Sequence, residues 1–201
     1  LKYVVSPTTG LDHIDLKYCN KRGIKVISVR GRSQVLSTVT STAEIAWWHI
    51  LDQTRRVSFY KSKVEEGIWD RDLTITSSLQ NKILGIFGFG RIGQQMAQIG
   101  TFFGMSILVY DKNKPKKSKI CVASTLEELF EKSDIVTIHI EGSKENEKIV
   151  NSKILTAIQS PNFILVNTSR GLVVDEFAIV QALTRKKIAG YGADVLFGES
   201  H

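Results

Sequence analysis

Residues 83–93 read ILGIFGFGRIG, and the reading of this stretch decides the fold. Gly88, Gly90 and Gly93 make a G-x-G-x-x-G. The apolar run Ile83 to Phe87 before it reads as a strand, and Gln94 to Ile99 after it as a helix. A second apolar run, Ile107 to Tyr110, ends in Asp111, 18 residues beyond Gly93. Strand, glycine turn, helix, strand and acid in this order make a dinucleotide site the expectation. Gly88 permits the tight turn, Gly90 lets a pyrophosphate approach the backbone, and Gly93 lets the helix lie close to the strand. The N–H groups and dipole at the helix start favour the phosphates. Asp111 would accept hydrogen bonds from a ribose diol and repel a 2′-phosphate, which selects NAD over NADP. Lys112 and Lys114 oppose that choice.

Working outward, strands and helices alternate. Strands are predicted at 120–122, 135–138, 163–166 and 188–195, with helices at 126–130, 152–158 and 176–183. The alternation predicts an α/β fold with a doubly wound, mostly parallel sheet. Upstream, 40–66 reads as one long amphipathic helix with Ala43, Ala46, Trp47, Ile50, Leu51, Val57 and Val64 on its apolar face. Both Trp47 and Trp48 are expected in core or interface packing. Residues 1–30 read as a small βαβ piece with strands at 2–5 and 24–27 and a helix at 12–22. Gly31 to Thr38 reads as a polar connection and a domain boundary, dividing the chain into 1–39 and 40–201.

Composition narrows the function. The 201 residues carry a net charge of +7 with 42% hydrophobic residues, ordinary for a globular protein. The one dense basic cluster, Lys112 to Lys119, lacks interleaved aromatics, so a solvated loop is expected rather than a nucleic-acid face. No apolar run is long enough for a membrane helix, and no signal peptide opens the chain. Cys19 and Cys121 lie far apart and read as free thiols in a reducing, cytoplasmic setting. No metal-ligand spacing stands out.

Ligands of open α/β sheets sit beyond the carboxyl ends of the strands. The polar residues there are Asp111, His139, the run Asn167 to Gly171, and Asp194. With these in view, the sequence resembles the D-isomer-specific 2-hydroxyacid dehydrogenases. The matching stretches are TTGLDHIDL at 8–16, TSTAEIAW at 40–47, GFGRIG at 88–93, STLEELFEKSDIVTIHI at 124–140, NTSRGLVVDE at 167–176 and IAGYGADVLFGE at 188–199. NTSRG and the D-V-x-x-x-E spacing from Asp194 to Glu199 are the specific parts.

The resemblance implies a Rossmann NAD-binding domain, together with part of a smaller flavodoxin-like substrate domain at 1–39. It implies a small D-2-hydroxy or 2-keto acid as substrate and a homodimer. Arg91 and Ile92 would donate N–H groups to the pyrophosphate. His139 and Thr168 would line the nicotinamide, and Asp194 would bond its carboxamide. Arg170 would be the catalytic arginine, its fork suited to a carboxylate and its charge to a developing oxyanion. Glu199 would be the catalytic glutamate, orienting an imidazole base expected beyond residue 201. Thr9 and Gly10 would bind the substrate carboxylate. The chain alone is expected to bind NAD and turn over poorly. It departs from the family pattern where Glu141 and Gly142 follow Ile140 and where Ser200 follows Glu199. An NAD-sensing corepressor on the same fold is the competing expectation.

Overall fold

In a computed structural model describing residues 1–73, 76–113 and 121–199, the glycine-rich stretch lies at the centre of a parallel sheet. Strand β3 (Ile83–Phe87) runs into the turn, and α5 (Arg91–Phe102) leads back to β4 (Ser106–Tyr110). The chain continues through β5 (Cys121–Val122), α6 (Leu126–Lys132), β6 (Ile135–Ile138), α7 (Ser152–Thr156), β7 (Ile164–Asn167), α8 (Glu176–Thr184) and β8 (Gly190–Ala193). The spatial order is β5-β4-β3-β6-β7-β8, with every pairing parallel. The chain winds outward from β3 in one direction and from β6 in the other. The switch point therefore falls between β3 and β6, where open sheets leave a crevice for ligands.

Burial on both faces explains the continuous apolar strands. On one face Leu84 and Ile86 of β3, Val109 of β4 and Val166 of β7 meet Met96 and Ala97 of α5. Ala43, Ala46, Trp47 and Ile50 of α3 (Ser41–Arg55) complete that cluster. On the other face Phe87, Leu108, Val136, Ile138 and Leu165 pack with Leu129 and Phe130 of α6, Ile154 and Leu155 of α7, and Ile179 of α8.

The helix predicted over 40–66 is two helices. After α3, residue Arg56 takes a left-handed conformation (φ 56°), and α4 (Val57–Glu65) starts anew. The Ser58 N–H, which would continue the ladder to Thr54, is diverted to the Asp52 carboxylate (2.6 Å). The Thr54 carbonyl instead accepts the Ser77 N–H (3.1 Å). Consequently Val57 and Val64 leave the apolar face and are about half exposed; within α3, Trp47 is buried against the sheet while the adjacent Trp48 is exposed.

Two compact units are present, Leu1–Thr40 and Ser41–Glu199. In the first, β1 (Tyr3–Ser6) pairs in parallel with β2 (Lys25–Ser28) around α1 (Leu16–Lys21). Helix α1 is shorter than predicted because Asp15 caps it, accepting the Tyr18 N–H at 2.9 Å. The expected polar connection contains a helical turn, α2 (Ser33–Leu36). Strand β8 is four residues rather than eight. Lys114 to Lys119, most of the basic cluster, and Ile120 lie outside the described residues.

Candidate functional site

The sheet register sets the site. Phe87 pairs with Tyr110 and Ile138, Ile138 with Asn167, and Asn167 with Ala193. The next residues, Asp111, Gly88, His139, Thr168 and Asp194, therefore stand in one row at the carboxyl edge. Five of the sequence-predicted residues are gathered by strand pairing alone.

The three motif glycines have different surroundings. Gly88 has φ +95°, and a Cβ there would lie 2.6 Å from the His139 carbonyl oxygen. That position demands glycine on both counts. A Cβ on Gly93 would stand 2.2 Å from the Gly88 carbonyl oxygen, so α5 can approach β3 only without one. Around Gly90, by contrast, a Cβ would meet nothing within 4 Å. The backbone there faces open space that a phosphate could occupy. Side chains cap α1, α6, α7 and α8, but none caps α5 at Gly90. The first N–H groups of a helix have no intrahelical partner. The start of α5, with Arg91 and Ile92 in its first turn, thus fits an anionic ligand.

Asp111 is fixed beside that turn. One carboxylate oxygen accepts the Phe89 N–H at 2.6 Å and the other the Asn113 N–H at 2.7 Å. Each oxygen keeps a lone pair for a ribose hydroxyl. Across the crevice, His139 bonds the Thr137 hydroxyl through Nε2 at 2.8 Å. Burial lowers its pKa to about 3, so the ring is neutral at physiological pH. His139 Nδ1 and Thr168 Oγ1 are buried without a hydrogen-bond partner. A polar group at this edge, such as a carboxamide, would fit them.

A second cluster occupies the ends of β7 and β8. Asn167, fully buried, shapes the turn: its oxygen accepts the Ser169 N–H (3.1 Å) and hydroxyl (2.8 Å), and its amide donates to the Arg170 carbonyl (3.0 Å). Arg170 Nη1 donates to the Ser169 carbonyl at 2.7 Å. Arg170 and Glu199 both lie within electrostatic reach of Asp194. Desolvation pushes the Asp194 carboxyl up and Glu199 adds to the rise, while the Asp194 backbone N–H, His49 and Arg170 oppose it. A Cβ on Gly171 would fall 2.0 Å from the Leu196 carbonyl carbon, so the loop carrying Glu199 lies directly on this glycine. Glu199 accepts the Leu196 N–H. Thr9 and Gly10 follow β1 in the first unit. Their turn is shaped by the Thr8 hydroxyl, which bonds Ser6 Oγ and donates to the Gly10 carbonyl, both at 2.7 Å.

Sequence reasoning missed three supporting residues. His49 of α3 packs on Gly192, where a Cβ would lie 2.8 Å from its own Cβ, and faces Asp194. Desolvation lowers its pKa, with Asp194 and Asp52 opposing. Its spacing of three from Ala46, on an apolar stripe, was a legible signal. Glu176 accepts the Phe197 N–H at 2.8 Å and pins the loop before Glu199. Gly142, where the family pattern is broken, admits the Arg170 stem, whose Cγ would be 2.7 Å from a Cβ there. Nothing local in the sequence marked these two contacts. Among the described residues no group of His, Cys, Asp and Glu could hold a metal, and no helix is long and apolar enough to cross a membrane.

This fold and edge define a dinucleotide-binding α/β protein. The NAD-binding domain of the D-isomer specific 2-hydroxyacid dehydrogenases matches residues 47–201, and the chain belongs to that family. It is 32% identical over 195 residues to a hydroxypyruvate reductase of Thermotoga maritima, covering 97% of this chain and 62% of that protein. D-lactate dehydrogenase of Aquifex aeolicus, solved with NAD and lactic acid, superimposes with a TM-score of 0.83 at 34% identity, over 98% of this chain and 59% of that one. An acyclic imino acid reductase solved with NADPH and D-Arg gives 0.85 at 28% identity, over 98% and 62%. The chain thus spans about three-fifths of the length of these relatives. Their names are those of reductases and dehydrogenases, and nothing in them favours the corepressor expectation.

Proposed function

We propose that this chain is the cofactor-binding part of an NAD-dependent oxidoreductase that interconverts a small D-2-hydroxy acid and its 2-keto acid. The observation that carries the proposal is the single row Asp111, Gly88, His139, Thr168 and Asp194, with Arg170 and Glu199 beside its far end. NAD, when bound, supplies the two-electron redox chemistry. The start of α5 with Arg91 and Ile92 holds the pyrophosphate, and Asp111 takes the adenosine ribose. His139 and Thr168 line the nicotinamide, and Asp194 orients its carboxamide. Arg170 binds the substrate carboxylate and stabilises charge developing on the substrate oxygen. Glu199 orients an imidazole base, and Thr9 and Gly10 give N–H groups to the substrate carboxylate. Residues 1–39 belong to a flavodoxin-like substrate domain and 40–201 to the Rossmann domain. The working protein is a cytoplasmic homodimer.

The test is NADH consumption by the complete protein with short 2-keto acids. Turnover is expected, with Arg170→Ala lowering kcat/KM by about 10²–10³-fold and Arg170→Lys recovering little because the fork is lost. A complete protein that binds NADH yet reduces no 2-keto acid, or an Arg170→Ala variant with normal turnover, overturns the assignment.

A further inference from the structure

The relatives solved with NAD and with NADPH share this architecture, so the choice of dinucleotide rests on local residues rather than on the fold. The deciding corner is the end of β4. Asp111 is immobilised there by two backbone N–H groups, and the next residue, Lys112, carries a cation able to pair with a 2′-phosphate. Its ammonium is already engaged: Nζ lies 2.8 Å from Glu145 Oε2.

The partner comes from a distant loop. Strands β4 and β6 flank β3, and the loops that follow them meet through this ion pair. Glu145 sits in a 3-10 turn, Lys144–Asn146, whose Asn146 amide donates to the Glu141 carbonyl at 2.9 Å. One loop therefore presents both acids to Lys112, whose pKa is raised by Glu145 first, with Glu141 adding. Two carboxylates from one loop thus act on the ammonium of the residue that follows Asp111. A 2′-phosphate would have to displace Glu145 before reaching Lys112.

We propose that Glu145, by holding Lys112 in an ion pair beside Asp111, is a specificity residue that disfavours a 2′-phosphorylated dinucleotide. The proposal rests on the reading of this edge as the dinucleotide site. Because both side chains are largely exposed (83% and 76%), the contribution is a few-fold factor added to the larger effect of Asp111 itself.

The test is calorimetric titration with NADH and NADPH of the chain, Glu145→Gln, Lys112→Ala and the double variant at low ionic strength. Wild type is expected to favour NADH. Glu145→Gln should tighten NADPH by about threefold to fivefold while NADH changes less than about twofold. In the Lys112→Ala background the same substitution should leave the NADPH to NADH ratio unchanged. The proposal is overturned if Glu145→Gln leaves the ratio unchanged, the result expected if the lysines at 114–119 supply the phosphate contact. It is overturned equally if the shift persists without Lys112. If wild type binds neither dinucleotide, the reading of the edge fails and the proposal with it, an outcome distinct from binding without discrimination.

Discussion

The ends of β3 and β4 and the ends of β7 and β8 carry the two halves of one row, yet they are built differently. The first half comes from residues within a single strand-turn-helix-strand unit. Gly88, Gly90, Gly93 and Asp111 each act through backbone that they or their neighbours supply. The second half is assembled from distant segments: His49 on α3, Gly142 after β6, Arg170 and Gly171 after β7, Glu176 on α8, and the loop to Glu199. A short-range motif can fix where a phosphate binds. Placing a guanidinium among carboxylates takes packing between elements that meet only after the sheet has formed.

Substitutions that separate the halves test this contrast. The largest expected effect is at Gly93. An alanine there puts a Cβ 2.2 Å from a backbone oxygen, so α5 must move off β3, costing about 2–3 kcal/mol. Denaturant unfolding should register that loss, with NADH binding weakened in parallel. Gly171→Ala should behave differently, because the Leu196 to Glu199 loop it meets is exposed and can swing away. Stability should fall, since the atoms met are backbone and the Glu176 to Phe197 contact is given up, but less than in Gly93→Ala. NADH affinity should hold, while kcat of the complete protein falls about tenfold or more as Glu199 is displaced. Equal damage to stability from both substitutions would erase the distinction.

His139 sits between the halves and gives a pH signature. Its folded pKa, about 3, lies below the unfolded value near 6.5. The unfolded chain therefore binds more protons between those values. The stability this group contributes is full above about pH 6.5 and is lost as pH falls toward 3, by up to about 1.4 kcal/mol per pH unit. Unfolding curves at pH 7, 6 and 5 should show that slope in wild type and a flatter one in His139→Gln. The smallest effect is expected away from both halves. Val64→Ser on α4, about half exposed, should shift stability by less than about 0.5 kcal/mol.

The same contrast governs what the sequence disclosed. The parallel sheet, its winding and the first half of the site were legible because period, glycine spacing and the terminal acid are local signals. Arg170 stood out at the end of a predicted strand, but its catalytic role, and Glu199 altogether, came through the family resemblance. The break at Arg56 was illegible because it follows from Ser77 returning to the Thr54 carbonyl, a contact between segments. The exposure of Trp48, Val57 and Val64 follows from where α3 meets the sheet and where α4 departs. Gly142 stood out only as a departure from the family pattern and Glu176 only within a matching stretch; their contacts were illegible, since each matters for a neighbour brought by the fold.

Gly90 offers the most direct test of the dinucleotide edge. It is the motif glycine whose Cβ would touch nothing in the protein, and its backbone needs no special conformation (φ −72°). Gly90→Ala should therefore melt with the wild type, while calorimetry with NADH shows affinity reduced by about tenfold or more, because the new methyl stands where the pyrophosphate approaches. Unchanged NADH affinity in a normally folded Gly90→Ala protein would contradict the account.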